Sequence, residues 1–322
     1  MKGKRKPVRS GRRAPSTTAA PLPDRRLMDR TMSAIQKAMS QQQFSSIEEA
    51  NAFLERYLAE NDGRVPDAAA ETPAEQAQEL VYEALESKGK KRLDLARRAL
   101  ELYPDCADAY ILLAEESART PEEARPLYEQ AVAAAGRTLG PDYFTDPECV
   151  GHFWGIVETR PYMRARAALG QVLWDMGERG AALEHHRELL RLNPDDNQGL
   201  RHTLVVWLIV TGRDDEARDL LKRYPGEDMA VMEYIRALLA FKRHGCGPKA
   251  RKALRRAFAR NPHVPAIMVR GKRLPEQPDY YGFGDENEAI ATIYYSLEAW
   301  VETPGAAEWL GNEFIAVLEE MG

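Results

Sequence analysis

From Leu27 onward, apolar residues return at helical spacing and an alternating strand pattern is almost absent. Leu27, Met28, Met32, Ile35 and Met39 fall near one helical face. After the glutamine run 41–43, Ser46 and Glu49 have the spacing of a capping box ahead of Ala50, Phe53, Leu54, Tyr57 and Leu58. The pattern predicts a helical hairpin over 27–60, and Gly63 and Pro66 mark 61–72 as a linker. Beyond it, three segments share an ending: RALELYPD (98–105), LLRLNPDD (189–196) and AFARNPHV (257–264). Pro194 and Pro262 lie 68 residues apart, which is two periods of 34.

A 34-residue period closed by proline resembles the tetratricopeptide repeat. In the unit 163–196, Leu169-Gly170 takes that family's Leu-Gly place, Ala182 its first alanine and Pro194 its proline. In the unit 231–264, Tyr234, Ala250, Ala257 and Pro262 take the aromatic, the two alanines and the proline. The unit 197–230 between them is degenerate but has the right length, and 73–106 and 107–136 read as two earlier units. Small residues let the two helices of a pair approach, large ones fill the gap to the next pair, and the proline ends the second helix. The expected fold is therefore all-α: a solenoid of about five tetratricopeptide-type helix pairs over 73–264, with an N-terminal helical hairpin and, over 265–322, a loop and capping helices. Residues 137–162, rich in aromatics, Gly and Pro, read as an insertion in the array.

The stretch 261–300, with its NPHVP block and the helix GDENEAIATIYY, resembles the C-terminal part of the suppressor-of-tumorigenicity protein family. That resemblance implies a repeat-like region ahead of the block and no particular chemistry. Members of that family carry membrane segments, whereas the apolar run Leu204 to Val210 is short against the ~20 residues of a membrane span. Composition adds an asymmetry. The net charge is −5, but residues 1–26 carry nine Lys or Arg and one acid, which leaves 36 basic and 49 acidic residues in the remainder. With few bulky apolar residues, 1–26 is expected to be a disordered basic tail. Three scattered cysteines, Cys106, Cys149 and Cys246, argue against a disulfide framework and point to the cytoplasm.

Candidate chemistry is thin. There is no P-loop, HExxH, GxSxG or kinase pattern, so neither an enzyme nor a cofactor is expected. Cys149 with His152, and the adjacent His185 and His186, are the residues nearest to a zinc set. Neighbouring helical positions point about 100° apart, however, and the repeat register assigns His186 to the core.

The first helix of each repeat lines the concave side of such a solenoid. Its register nominates Arg164, Gln171, Trp174, Gln198, Arg201, His202, Arg236 and Lys242 as a basic, partly aromatic groove on an acidic body, with Met232 beside them. The bland alternative is pairing of these arginines with Asp175, Asp196 and Glu233. The carboxylate clamp of chaperone-binding repeats does not fit. Its places fall on Ala167, Gln171, His202, Met232 and Arg236, and only Arg236 agrees. The insertion offers a second surface through His152, Trp154, Glu158, Arg160 and Tyr162, or else a plug for the side of the solenoid. The expected function is a non-enzymatic scaffold that binds a protein or peptide partner, acidic in character, in the groove. The alternative is non-specific attraction of the basic tail to nucleic acid or ribosomes.

Overall fold

The computed structural model describes residues 24–226, 229–269, 274–278 and 280–321; the basic run 1–23 lies outside them. Among the described residues there are fifteen α-helices and no strands. The first two, α1 (Leu27–Ser40) and α2 (Ile47–Glu60), precede the array. Ser46 caps α2 by accepting from the Glu49 amide, as the spacing implies, while the Glu49 carboxylate accepts from Ser45. Residues 24–26 already belong to the ordered body: Arg26 pairs with Asp24 at 2.7 Å and with Glu115 at 3.0 Å.

Five helix pairs follow. They are α3 (Pro73–Glu86) with α4 (Gly89–Leu102), α5 (Ala107–Ser117) with α6 (Pro121–Leu139), α7 (Arg160–Asp175) with α8 (Arg179–Leu192), α9 (Leu200–Val210) with α10 (Asp214–Arg223), and α11 (Ala230–His244) with α12 (Pro248–Arg260). Thr72 and Glu75 form a full capping box at the start of the first pair. The second helices α4, α8 and α12 each stop two residues before Pro104, Pro194 or Pro262, so the proline sits where it no longer removes a helical hydrogen bond. Ala182, Ala250 and Ala257 are fully buried between paired helices. Gly170 is the tightest of these small positions: a Cβ there would lie 2.8 Å from Nδ1 of His186.

First helices of successive pairs lie side by side, α3 with α5, α5 with α7 and α9 with α11, and form the inner wall of the solenoid. Three helices follow the array, the short α13 (His263–Val269) and the longer α14 (Glu286–Glu302) and α15 (Ala306–Met321). α14 lies against α9 and α11, and so covers the C-terminal half of the inner wall. Ala289, Ile293, Ala299 and Trp300 of α14 are fully buried in the largest core cluster.

The interruption of the array is shorter than its sequence suggests. α6 runs on to Leu139 and α7 already begins at Arg160, which leaves 140–159 folded into three short 3-10 turns. Phe144, Phe153 and Tyr162 cluster there in tilted and edge-to-face contacts, with Phe144 4.9 Å from Tyr162 and 5.5 Å from Phe153. Together they close the side of the solenoid over α6 and α7.

Candidate functional site: the inner wall and the helix seated on it

The N-terminal half of the inner wall is covered by α1, and one carboxylate dominates the contact. Asp29, 5% exposed, accepts from Nη1 of Arg160 at 2.6 Å and from Nη1 of Arg164 at 2.5 Å. The two arginines are four residues apart on α7, so one turn of helix presents both to the same carboxylate. Arg164 also forks onto Asp108 of α5, with Nε to Oδ1 at 3.1 Å and Nη2 to Oδ2 at 2.7 Å. Gln78 of α3 donates to the same Asp108 at 3.2 Å. Arg160 is held further by the Trp154 carbonyl at 2.9 Å, with its guanidinium 5.3 Å above the Trp154 ring.

The result is a buried network of two arginines and two aspartates whose members come from α1, α5 and α7. Burial works against the Arg164 charge, yet Asp108 and Asp29 together hold its pKa above the ordinary arginine value. Tyr82 of α3 borders the network, and burial, then the Asp108 and Asp29 carboxylates, push its phenol upward. Cys106 is equally shielded: burial, then Asp108, raises its thiol to about 12, which makes it unreactive.

Space remains on both flanks of α1. A cavity of about 210 Å³ opens between α1, α3 and α5 and is lined by Asp29, Gln78, Tyr82, Cys106, Asp108 and Arg164. A second, of about 370 Å³, lies under Arg30, Lys37, Glu75, Glu79 and Glu158. α1 itself is lightly packed. Only Asp29 and Ala34 are buried, and Met28 is 64% exposed.

Several residues nominated for an open groove are placed elsewhere. Arg164 is on the inner wall but is engaged in the network rather than free for solvent. Trp174 is buried, stacked on Trp207 with centroids 4.5 Å apart and planes within 4°, and its Nε1 donates to Glu298 of α14 at 3.1 Å. His202 is buried 5.7 Å from the Tyr295 ring of the same helix. Both are withdrawn because α14 covers that part of the wall.

Arg201 pairs with Asp196 at 2.9 Å and lies over the Tyr224 ring, and Arg236 pairs with Glu233 at 2.9 Å. These two are the structural pairings that the sequence left as the bland alternative. Lys242 is tied to Asp214 at 2.6 Å. Gln171 is exposed and donates to Asp175, while Gln198 is half-buried in the turn before α9 and so is not on a first helix at all.

In the insertion, Arg160 and Tyr162 are buried and belong to the packing, and Trp154 is half-buried under Arg160. His152 and Glu158 remain exposed, with Glu158 accepting from Gln36 of α1 at 2.6 Å. The residues missed by the sequence reading are Asp29, Gln78, Tyr82, Asp108 and Glu298. An acid on the apolar-patterned α1, together with arginines at 160 and 164, was the available signal.

Among the described residues, no group of three or more His, Cys, Asp or Glu is placed to hold a metal ion. His186 is core, its ring 4.3 Å from Trp207. No described helix is long and apolar enough to cross a membrane.

A family model described as tetratricopeptide repeat matches residues 164–240, and one described as ST7 protein matches residues 47–142. Residues 164–240 are thus similar to the tetratricopeptide repeat, and residues 47–142 to the ST7 protein family. That region takes in α2 and the first two helix pairs, ahead of the 261–300 stretch on which the sequence resemblance rests.

The chain is 26% identical over 244 residues to a suppressor of tumorigenicity 7 protein-like from Danio rerio, covering 70% of this chain and 42% of the relative. It is 26% identical over 267 residues to a protein ST7 homolog from Caenorhabditis elegans, covering 70% and 48%. To a suppressor of tumorigenicity 7 protein-like from Homo sapiens it is 27% identical over 242 residues, covering 68% and 42%. The chain thus spans less than half the length of these relatives. Among solved structures it is similar to YrrB, described as a tetratricopeptide protein with an unusual peptide-binding site. The TM-score is 0.41 at 20% identity, over 64% of this chain and 90% of that one.

Proposed function

We propose that this protein is a non-enzymatic scaffold whose inner wall holds an acidic helical segment of a partner protein. The observation that carries the reading is the seat of Asp29: a helix outside the repeats delivers a carboxylate to two arginines of a repeat helix, at 2.6 and 2.5 Å. Laying a helix in a groove with a few anchoring side chains is a general recognition mode. The bidentate reach of arginine suits a carboxylate anchor. On this reading α1 is the resident occupant and its Asp29 stands where a partner's acid would go.

Displacement is physically reasonable because little besides Asp29 and Ala34 of α1 is buried. The linker over residues 61–72 extends to roughly 40 Å, so the hairpin can leave without disturbing α3. A partner competes with a tethered helix whose effective concentration is on the order of millimolar, which favours partners that bring more than one anchor. The cytoplasm belongs to the same proposal, and it agrees with three cysteines that are all free thiols.

The test is capture from native lysate by the wild type, Asp29→Ala and Arg164→Met. The reading expects a protein captured more strongly by Asp29→Ala, lost with Arg164→Met, and displaced by a synthetic peptide of residues 24–42. A capture profile unmoved by both substitutions and by the peptide refutes it.

A further inference from the structure

Two surfaces that do not include the Asp29 seat are lightly covered and complementary in charge. The first is α2, in which Ile47, Ala50, Leu54, Tyr57 and Leu58 follow helical spacing, yet no residue is buried and Ile47 is 72% exposed. Among the described residues, the ring contacts of Phe53 are with its neighbours, stacked on Tyr57 at 5.8 Å and tilted against Phe44 at 5.5 Å. The polar side of α2 carries Glu48, Glu49, Glu55 and Glu60 against the single cation Arg56.

The second is a trough of about 330 Å³ between α10 and α11. Its floor is Leu221, Leu239 and Ala240, and its rim is Arg218, Lys222, Arg236 and Arg243. Three rim cations have only exposed or half-exposed partners three residues away, Asp215 at 3.1 Å, Asp219 at 2.8 Å and Glu233 at 2.9 Å. Pairs of that kind contribute little and exchange readily. No acid lies within 4 Å of Arg243 among the described residues. Over 230–260 the chain carries nine Lys or Arg and one acid, Glu233, so the field over the trough is positive although the chain as a whole is −5.

We infer that the α10–α11 trough takes α2 of a second copy of this chain. An apolar floor with a cationic rim fits an acidic amphipathic helix better than a phosphate backbone, which has no use for the floor. The acidic side of α2 likewise disfavours an anionic membrane surface. The lengths agree: α2 has 14 residues and α11 has 15, each about 21–23 Å long. No α2 residue lines the trough of its own chain. The contact is heterologous, because one copy gives α2 and the other gives the trough, so assembly runs head to tail into rings or open chains. It uses neither Asp29 nor Arg164, so its failure and that of the proposed groove function are separable.

The test is sedimentation velocity of the full chain across about 10 µM to about 1 mM, the range expected for a small interface. Expected is a rise in average mass with concentration. It should be weakened at least tenfold by Lys222→Glu with Arg243→Glu, and equally by Phe53→Ser. Mixing the Lys222→Glu, Arg243→Glu protein with a Glu55→Lys, Glu60→Lys protein should restore association that each alone has lost. All four charge changes fall on exposed positions outside the cap of α2. Three outcomes overturn the inference: a monomer at every concentration, an association removed by Phe53→Ser but untouched by the trough reversals, which is α2 pairing with α2, or a mixture that fails to associate.

Discussion

Replacing Gly170 by alanine sets two opposed effects against each other, and the geometry decides between them. Alanine in a helix interior is favoured over glycine by about 0.8–1 kcal/mol. Against this, the new methyl would lie 2.8 Å from Nδ1 and 2.9 Å from Cε1 of His186, and 3.2 Å from Cβ of His185. The His186 ring has nowhere to go. It is 2% exposed and packs 4.3 Å from Trp207, which is stacked on Trp174 and so tied to Glu298 of α14. Overpacking of this kind costs about 1–3 kcal/mol, and a ring fixed on its far side belongs in the upper part of that range.

The net expectation is that Gly170→Ala destabilises by about 1–2 kcal/mol, or a Tm lower by about 2–3 °C for a chain of this length. Urea unfolding followed by helical circular dichroism and by tryptophan fluorescence measures it. Adding His186→Ala makes room for the methyl, so the double mutant should be more stable than the sum of the single changes by about 1 kcal/mol or more. A Gly170→Ala protein that gains about 1 kcal/mol, as propensity alone requires, refutes the close-approach argument.

Three further outcomes follow from buried groups. Trp174→Ala removes both the stack on Trp207 and the donor to Glu298, and should cost about 3–5 kcal/mol in urea unfolding. Glu288, fully buried, accepts from the amides of Ala230 and Gly284 at 2.9 and 2.6 Å and from Asn261 at 2.9 Å; Glu288→Ala strands three donors, should cost about 3 kcal/mol or more, and should speed amide exchange at Ala230 and Gly284. Burial, then Arg166, lowers His185 to about 4, and burial, then His185, lowers His186 to about 3. Because the unfolded chain takes up those protons near pH 6.5 and the folded chain does not, stability should fall from pH 6.5 down to about pH 3. His186→Gln should flatten that fall, and a His186 ring that titrates near 6.5 by NMR contradicts the assignment.

The repeat was legible because its signal is local. The Leu169-Gly170 pair, the buried alanines and the closing prolines all act within one 34-residue unit, and the chain carries two units in register 68 residues apart with a degenerate one between them. The inner wall was not legible, because what covers a polar first helix comes from far away in sequence. Arg164 meets Asp29 across 135 residues, and Trp174 meets Glu298 across 124. A register can say that Arg164 faces inward, but it cannot say whether water or a carboxylate of the same chain stands opposite. The insertion shows the same limit: an aromatic loop and an aromatic plug have the same composition, and only the mutual packing of Phe144, Phe153 and Tyr162 separates them.

The two helices that cover the inner wall differ in kind, and that difference decides where a partner can enter. α14 contributes Ala289, Ile293, Ala299 and Trp300 to the largest core cluster, and its Glu288 ties the starts of α11 and α14 to the end of α12. Removing it exposes core, so it is part of the solenoid rather than a ligand of it. α1 contributes one alanine and one carboxylate to the interior, and leaves cavities of about 210 and 370 Å³ on its flanks. A buried carboxylate between two arginines is costly to uncover but simple to replace, since any incoming acid restores the same pairs. The N-terminal half of the wall, around Arg160 and Arg164, is therefore where exchange with a partner has the lowest barrier. In Asp29→Ala protein, amide exchange should accelerate throughout α1 and leave α14 unchanged; acceleration spread over both helices would mean that α1 is as much a part of the core as α14.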